Sequence, residues 1–470
     1  MSGIEISTAD GALTRVDLAS VEALESDLRG TILLPESGGY DEARRIWNAM
    51  IDRRPALIVR CVGSSDVVAA VNFVRDHGLL VAVKGGGHNV AGNAVCDGGL
   101  MIDLSPMRNV RADPVQARAH AGGGATWGDF DAETQLFGLA APGGLISATG
   151  VAGLTLGGGI GWLTPSYGLA CDNLVSVDVV TAEGTRIKAS QEENDDLFWG
   201  LKGGSGYFGI ATSFEFQLHP VGPLLFAGMT VYPLSTAQGV MERFGDFIAD
   251  TPDALGAMAG FTTLPDGQPA LALIGVYNGP VAEGEAALQT LRNLGEPLLD
   301  TFAPTPYREI QTLFDAGAPA GLRYYWKSSF LDSLPEEAIA TVIEQARKCP
   351  SAHSKMFVEC LHGAFSRIPK DSAVFDHRDS RKNLLIIGAW PEADQDEANR
   401  TWVRETWEAM QPYASEGVYV NYLGTEQDEG SNRIAAAYGP GKYERLLALK
   451  RKYDPANLFR MNQNIRPDGL

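Results

Sequence analysis

Apolar residues recur with two periods between residues 55 and 220, which predicts short strands that alternate with helices. Continuous apolar runs predict buried strands, and one alternating run predicts a strand in which every second side chain shares a face. These strands are expected at residues 56–61, 80–83, 100–104, 174–180 and 210–218. After the first of them, Ser65 is predicted to cap a helix whose valines recur at helical spacing.

The second half of the chain carries longer apolar runs, and from about residue 222 the pattern predicts antiparallel strands separated by helices. The strands are expected at residues 270–277, 324–331, 355–363 and 383–390, and the helices at residues 336–347 and 394–410. This order is typical of an α+β domain in which helices cover one face of an antiparallel sheet. We therefore predict a lead-in over residues 1–50, one domain over 51–221, a second domain over 222–418, and a C-terminal segment over 419–470 that returns to the first domain.

The composition is that of a soluble globular protein, with 45% hydrophobic and 20% charged residues. At 470 residues the chain is too long for one ordinary core, so two domains are expected. A formal charge of -20 argues against nucleic acid and anionic membrane surfaces as partners. The apolar runs are too short to cross a bilayer, and the start of the chain does not resemble a secretion signal, which predicts a cytoplasmic protein. The oligomeric state stays open.

Metal and disulfide chemistry are not expected. The five cysteines are odd in number and lack CxxC spacing, which fits reduced thiols, and Cys171 is predicted to be a packed one. The histidines form no HxxxH pair, so we predict no metal site.

Two glycine clusters are the most informative part of the sequence. The first, Gly85-Gly86-Gly87, follows a predicted strand and leads directly into His88 and Asn89. Bare backbone adopts positive φ and brings its N–H groups close to an anion, so the clusters predict a pyrophosphate site. In the second cluster, over residues 149–161, the glycines expected at the ligand are Gly150, Gly153, Gly157, Gly158 and Gly161.

His88 has two interpretations on its chemistry alone. As a turn residue, its ring would only satisfy a nearby carbonyl group. Its place after three glycines favours a functional role, because the imidazole would lie next to whatever the glycine N–H groups bind. A neutral imidazole is also a competent nucleophile.

A separate glycine pattern, GxGxxG at residues 204–209, suggests a nicotinamide-binding Rossmann unit, but its surroundings do not fit. That fingerprint needs a strand before it and a helix after it. Here a predicted helix over residues 195–201 precedes the glycines and a strand follows them. We therefore predict a tight helix-to-strand turn that is able to touch a cofactor.

Several motifs together resemble one enzyme family. Residues 84–89, 97–105, 150–161 and 167–173 resemble the FAD domain of the p-cresol methylhydroxylase type, within the vanillyl-alcohol oxidase superfamily. Residues 453–459 and 462–464 resemble the C-terminal signature of the berberine bridge enzyme-like oxidases. The motifs follow the family's order from about residue 50 to 468. The resemblance implies an α+β protein with a two-part FAD-binding domain and a substrate domain.

The resemblance also implies how FAD is held. The family histidine at the position of His88 is joined covalently to the 8α carbon of the flavin, which prevents cofactor loss. Many members add a cysteine link, but this chain has Ile146 there, and members similar to 6-hydroxynicotine oxidase also lack that cysteine, so a single link is expected. Thr149 stands where a valine-sized or leucine-sized residue admits or excludes oxygen, and its shape predicts access for O2. The other expected FAD-binding residues are Lys84, Gly85, Gly86, Gly87, Asn89, Gly150, Gly153, Gly157, Gly158, Gly161, Asn421, Asn462 and Asn464.

For catalysis, Tyr422 matches a tyrosine that resembling enzymes use as general base near flavin N5. An unperturbed phenol has a pKa near ~10, so this pKa is expected to be depressed by the flavin or by a nearby cation, for which Lys327 is the candidate. Glu359 is a further catalytic candidate. In an alternative interpretation, the tyrosines of residues 419–422 alternate on a strand and only pack.

Substrate contact is expected from side chains of the second domain and the C-terminal segment. Glu359 and His362 are three apart on a predicted strand and face opposite sides, so at most one of them lines the pocket. Aromatic residues favour an aromatic or apolar metabolite over a free sugar. The candidates for substrate contact are Tyr419, Trp326, Trp390 and His362.

The resemblance thus implies an oxidase that takes a hydride from an alcohol, an amine or a phenolic metabolite and passes the electrons to O2, giving hydrogen peroxide. Three alternatives stay open: a flavin dehydrogenase with another acceptor, an enzyme of oxidative ring closure, and a flavin-holding protein without turnover.

Overall fold

The structure is a computed structural model that describes residues 3–468, apart from the side chains of residues 426–428 and 431. It contains two bodies, and the first is built on two sheets. A four-stranded sheet has the strand order Thr31–Leu33, Leu57–Arg60, Leu100–Asp103 and Val81–Lys84. The first two strands are antiparallel to each other, and the last three are mutually parallel. A five-stranded antiparallel sheet has the order Arg186–Ser190, Leu174–Val180, Ile210–Gln217, Arg118–Gly122 and Val110–Asp113.

The second body is an eight-stranded antiparallel sheet. Its strands run in the order Leu299–Asp300, Leu224–Pro233, Pro269–Tyr277, Leu255–Thr263, Lys355–Cys360, Lys382–Trp390 and Arg323–Leu331, with Ala303–Pro306 also paired to Leu224–Pro233. Four helices cover one face around a shared apolar core, namely Ala237–Ala249, Val281–Arg292, Glu336–Arg347 and Asp396–Met410. The predicted α+β fold class is therefore confirmed.

The remaining elements connect or flank these bodies. Two short pairs of strands are Gly3–Ser7 with Leu13–Asp17, and Leu139–Ala140 with His219–Pro220. The other α-helices are Leu18–Asp27, Tyr40–Arg44, Ser64–His77, Trp127–Thr134, Val151–Leu156, Thr164–Tyr167, Asp195–Leu201, Tyr307–Ile310, Ala364–Arg367, Glu426–Ala436 and Pro440–Tyr453. The 3-10 helices are Gln135–Phe137, Ala170–Asn173, Leu234–Thr236, Asp315–Gly317, Lys370–Ser372, Ala393–Gln395, Gln411–Tyr413 and Val420–Tyr422.

Two local expectations are corrected. The first long helix begins at Ser64 after Gly63, and no side chain caps it at Ser65. Instead the buried carboxylate of Asp66 accepts the backbone N–H groups of Arg29, Gly30 and Val62, which ties this helix end to the chain before the first strand. The strand expected over residues 355–363 ends at Cys360, because Cys360 pairs with Lys382, where the neighbouring strand begins. Gly363, with a φ of +67°, then precedes a short helix.

The N-terminal residues do not form a separate lead-in. Ile6, Val16 and Leu24 are buried in the same apolar core as Leu57 and Val59. The strand Thr31–Leu33 also extends the four-stranded sheet. The chain before residue 50 therefore contributes to the first body, since its apolar side chains complete that core.

Between residues 3 and 468, none of the helices combines the length and apolar character needed to span a bilayer. The same residues hold no cluster of three or more histidine, cysteine or acidic side chains suited to a metal ion. The five cysteines are free thiols, and Cys171 is fully buried as predicted.

A buried ion pair fixes the C-terminal segment against the first body. Lys450 Nζ lies 2.6 Å from Asp454 Oδ2 and donates to the carbonyl groups of Tyr207 and Phe459, each at 3.0 Å. The Asp454 carboxylate in turn accepts the backbone N–H groups of Leu458 and Phe459. Both charged side chains are fully buried, so each depends on the other to offset its lost hydration.

We expect Lys450→Met to lower the free energy of unfolding by about 3 kcal/mol or more, because it leaves the Asp454 carboxylate buried without its cation. Lys452→Met on the same helix is the matched control. Its ion pair with Asp196 is exposed, so its loss should cost less than about 1 kcal/mol. Urea denaturation measures both values, and equal losses would contradict the role given to the buried pair.

Candidate active site

One cavity lies between the glycine clusters of the first body and the face of the eight-stranded sheet opposite the four helices. Its first end is walled by Gly85 to Asn89, by Thr149 and Gly150, and by the C-terminal Asn462. Its other end is walled by side chains of the second body, including Trp326 and Glu359. Glycines of both predicted clusters therefore meet two of the three predicted catalytic residues, Tyr422 and Glu359, in a single site.

The two glycine clusters cross each other at main-chain contact. A Cβ atom on Gly86 would lie 2.5 Å from both Cα and N of Gly150, and a Cβ on Gly150 would lie 2.6 Å from N of Gly86. The second cluster is fixed in place because Trp127 N donates to Thr149 O and Val151 N donates to Ala125 O. Only glycine permits this approach, which explains the glycines at both positions.

The first cluster presents a row of unused donors. Among the hydrogen bonds of the described residues, none is donated by the backbone N–H groups of Gly85, Gly86, Gly87, His88 or Asn89. These residues line the cavity, so the free N–H groups are available to a ligand there. Successive unpaired N–H groups form a favourable site for an anion, and the pyrophosphate of FAD fits this cradle.

His88 lies at the end of this row. Its Nε2 is buried and has no hydrogen-bond partner within the described part of the chain. Burial lowers the pKa of the imidazole to about 4. The ring is therefore neutral at physiological pH.

Three glycines of the second cluster lie outside the cavity, and their expected contact with FAD is corrected. Gly157 abuts Asn421, since a Cβ there would lie 1.9 Å from Asn421 Oδ1. Gly161 crosses the chain at Gly143, whose carbonyl oxygen would lie 1.9 Å from an added Cβ. Gly158 has a φ of +128°. These residues shape the loop, while Gly150 and Gly153 line the cavity.

Two further cofactor candidates, Lys84 and Asn464, also lie outside the cavity lining. The buried Lys84 donates from Nζ to the carbonyl oxygen of Ala43 at 2.6 Å, and burial lowers its pKa. Asn464 does not line the cavity, and its backbone N donates to Asn462 Oδ1 at 2.6 Å. Asn462 and the neighbouring Gln463 do line it, so only part of the C-terminal motif reaches the ligand space.

A buried carboxylate of the second body and a phenol of the C-terminal segment form a hydrogen-bonded pair. Tyr422 donates from its hydroxyl to Glu359 Oε1 at 2.8 Å, and Asn383 donates from its amide to Oε2 at 2.7 Å. Burial raises the pKa of Glu359. Asn383 lies directly opposite Glu359 in the sheet register, which places its amide beside the carboxylate.

The expected depression of the Tyr422 pKa is wrong. Burial, followed by the charge of Glu359, raises the pKa of this phenol well above its ordinary value. The expected cation is absent from this site, because Lys327 follows Trp326 in the strand and so faces the opposite side of the sheet. There Lys327 Nζ lies 2.9 Å from Glu429 Oε1 and near the ring of Trp407.

The run from Tyr419 to Tyr422 is a 3-10 turn, which corrects the alternative of a strand with alternating tyrosines. The Tyr419 hydroxyl accepts Gly159 N at 2.7 Å and the Asn421 amide at 2.7 Å. Asn421 also donates to Leu154 O, at 2.9 Å. Tyr419 and Asn421 thus anchor the turn to the second glycine cluster. Tyr422 is the residue of the turn that donates to the Glu359 carboxylate.

The substrate contacts expected of three residues are corrected. Trp390 is fully buried under the helices, where Nε1 donates to Asp396 at 2.7 Å. His362 bonds through Nε2 to Leu255 O at 3.0 Å and lies outside the cavity lining. The hydroxyl of Tyr419 is hydrogen-bonded to Gly159 N of the second glycine cluster. Trp326 does face the cavity, with its ring edge-on to Tyr422 at 5.8 Å between centroids.

The sequence did not reveal several residues that line the cavity. Trp47, Phe314, Tyr324 and Phe357 supply most of its aromatic wall. Phe357 lies two residues before Glu359, so the alternation of the strand could have indicated it once the facing side was known. No sequence pattern indicated Trp47, because it lies in an irregular segment and contacts its partners only in the tertiary fold.

Comparison with known proteins gives a consistent result. Residues 55–190 match the family model of an FAD binding domain, and residues 418–466 match that described as berberine and berberine like. An FAD-linked oxidoreductase of Dictyostelium discoideum is 33% identical over 446 residues, covering 94% of this chain and 95% of that protein. The (R)-6-hydroxynicotine oxidase of Paenarthrobacter nicotinovorans is 31% identical, covering 96% of this chain and 100% of that protein. A crystal structure of 6-hydroxy-D-nicotine oxidase from Arthrobacter nicotinovorans superimposes with a TM-score of 0.86 at 30% identity, covering 94% of this chain and 98% of that chain.

We expect Gly86→Ala to lower the free energy of unfolding by about 2 kcal/mol, because its methyl group would force the crossed loops apart. Gly206→Ala is the matched control. Gly206 also lines the cavity, but an added Cβ meets no atom within 4 Å, so its effect should stay within about 0.5 kcal/mol. Urea denaturation of the flavin-free proteins isolates the loop crossing, and an unchanged stability of Gly86→Ala would contradict it.

Proposed function

The chain belongs to the berberine bridge enzyme-like family of FAD-linked oxidoreductases, and we propose that within it the chain is an oxidase of small aromatic or apolar alcohols, amines or phenols. One observation carries this proposal. A buried carboxylate, hydrogen-bonded to a phenol, lies in the same cavity as the neutral imidazole and the unpaired N–H groups of the first glycine cluster. The cavity thus joins a cofactor cradle to a group able to accept a proton.

When bound, FAD supplies the two-electron acceptor that takes a hydride from the substrate and is reoxidised afterwards. The chain supplies the path for the proton. Tyr422 receives the proton of a substrate O–H or N–H group while its own hydroxyl proton passes along the 2.8 Å hydrogen bond to Glu359. The phenol stays protonated overall, so this relay does not require a depressed pKa at Tyr422.

Glu359 is suited to act as the final base. Its raised pKa makes the carboxylate a stronger proton acceptor than an exposed glutamate. The amide of Asn383 holds its other oxygen and favours the charged form, which keeps the carboxylate oriented toward Tyr422.

We further propose that His88 carries FAD by a single covalent bond. Within the described residues its buried Nε2 has no hydrogen-bond partner, and this observation together with the lowered pKa supports a neutral nucleophile at the cofactor cradle. Ile146, which occupies the position of the second link in related enzymes, also lines the cavity and has no nucleophilic atom.

Molecular oxygen is the proposed electron acceptor. Thr149 lines the cavity at the position that controls oxygen access in the family, and its side chain has the size of valine. The size of this side chain supports the oxidase over the alternative of a dehydrogenase that uses another acceptor.

The cavity wall supports the proposed substrate class. Trp326, Phe357 and Phe314 face it together with Leu385 and Ile387, so most of the surface beside Glu359 is aromatic or aliphatic. Such a wall favours a flat apolar molecule with one oxidisable polar group. One relative carries the name of an oxidase of (R)-6-hydroxynicotine, which fits this class.

An anaerobic screen of aromatic alcohols, amines and phenolic metabolites tests the proposal. We expect at least one of them to bleach the flavin absorbance, and air then to restore it quickly with one hydrogen peroxide formed per flavin. Slow reoxidation in air would instead favour the dehydrogenase. Failure of every compound to bleach the flavin would favour a flavin-holding protein without turnover.

We expect Glu359→Gln to lower the rate of flavin reduction about 100-fold or more at unchanged flavin content, because the relay loses its proton acceptor. In the parent protein the rate should fall as the pH drops below the raised pKa of Glu359, since the protonated carboxyl cannot accept a proton. This acidic limb should vanish in the variant.

Asp131→Asn is the control for that experiment, because it neutralises another fully buried carboxyl group, which does not line the cavity. Its reduction rate and pH profile should match those of the parent. A normal rate in Glu359→Gln would contradict the relay.

A further inference from the structure

Three aromatic rings stack across the boundary between the two bodies. Trp47 lies over His88 with 4.3 Å between ring centroids and 18° between the planes. Tyr324 lies against Trp47 at 3.6 Å and 17°. His88 belongs to the first glycine cluster and Tyr324 to the strand Arg323–Leu331 of the second body. Trp47 therefore bridges the cofactor cradle and the sheet that carries Glu359.

Hydrogen bonds hold Trp47 to both sides. Its backbone N donates to Gly87 O at 3.0 Å, and its Nε1 donates to Ala318 O at 3.0 Å. The adjacent Asn48 donates from its amide to Val90 O at 2.8 Å and to Tyr324 O at 2.9 Å. Asn48 Oδ1 in turn accepts the N–H of Tyr324 at 2.9 Å. The indole thus has a fixed position relative to both elements.

The imidazole itself has no comparable anchor. Within the described part of the chain, Nε2 has no hydrogen-bond partner, and the ring forms no hydrogen bond with the side chain or backbone of another residue. Rotation about the Cβ–Cγ bond is therefore restrained by ring stacking, by packing and by the contact of the ring with its own backbone, and not by a bond to another residue. Stacking on the indole fixes the plane in which both ring nitrogens lie.

We propose that Trp47 is a positioning residue for covalent attachment of FAD, holding the His88 ring in the orientation from which nitrogen meets the flavin 8α carbon. This inference rests on the covalent link proposed above. In the step, a bond forms between an imidazole nitrogen and the 8α carbon, while one N–H and one C–H bond break and both protons leave. The electron pair left on the flavin passes to O2, which takes up two protons and becomes hydrogen peroxide.

The same geometry links attachment to assembly of the protein. Tyr324 backs Trp47 from the second body, so the indole reaches its position only when the strand Arg323–Leu331 is docked. Non-covalent binding of FAD depends instead on the glycine clusters. Loss of the stack should therefore slow attachment more than it weakens binding.

The test follows attachment over time in protein produced under riboflavin limitation and then incubated with FAD in air. Acid precipitation separates covalent from total bound flavin. We expect Trp47→Leu to bind FAD but attach it about 10- to 100-fold more slowly. Trp47→Phe should recover much of the rate because phenylalanine restores the stack, and Tyr324→Leu should fall between the two.

Trp407→Leu controls for the loss of an indole, since Trp407 lies on the helix-covered side of the sheet and should leave the attachment rate unchanged. His88→Ala is the negative control, in which no acid-stable flavin is expected. If the parent protein holds no acid-stable flavin, the covalent link itself fails and this inference fails with it. If the parent attaches FAD and Trp47→Leu does so equally fast, or loses total and covalent flavin in parallel, only the positioning role is overturned.

Discussion

The close approach of the two glycine clusters is the constraint on which the site depends. Gly86 and Gly150 meet at their main chains, so neither loop moves without the other. This contact aligns the free N–H groups of residues 85–89 along one wall of the cavity. It also sets where the chain continues to His88. The second cluster is in turn anchored to the C-terminal turn through Tyr419 and Asn421, which brings Tyr422 to the same cavity.

The two faces of the eight-stranded sheet have different surroundings, since one packs against helices and the other borders the cavity. One face carries the apolar core beneath four helices, where Trp390 and Lys327 are also located. The other face supplies Trp326, Phe357 and Glu359 to the cavity. A buried carboxylate is tolerated there because Tyr422 and Asn383 satisfy its two oxygens. The sheet therefore provides a rigid support for a group that would otherwise be costly to bury.

Much of the fold followed from apolar periodicity, and the limits of that prediction have physical causes. The strand Leu174–Val180 and the helix Glu336–Arg347 were predicted at their observed bounds, because long periodic runs encode local structure strongly. The motifs identified the glycine clusters, because the close approach of the two loops requires glycine. They also identified His88, which follows the first cluster directly. Lys327 and Trp390 were misplaced because alternation indicates that faces differ but not which face borders the ligand. Gly157 and Gly161 were taken for ligand contacts, although close crossings with other parts of the chain require them.

The strand Lys355–Cys360 carries a consequence for how such proteins diversify. Lys355, Phe357 and Glu359 face the cavity, whereas Met356, Val358 and Cys360 lie in the apolar core. The first set of alternating residues thus shapes the cavity, and the second set stabilises the fold. Replacing the aromatic ring midway along this row would reshape the cavity while the interleaved apolar residues stay in the core, so this wall can change without first acquiring spare stability.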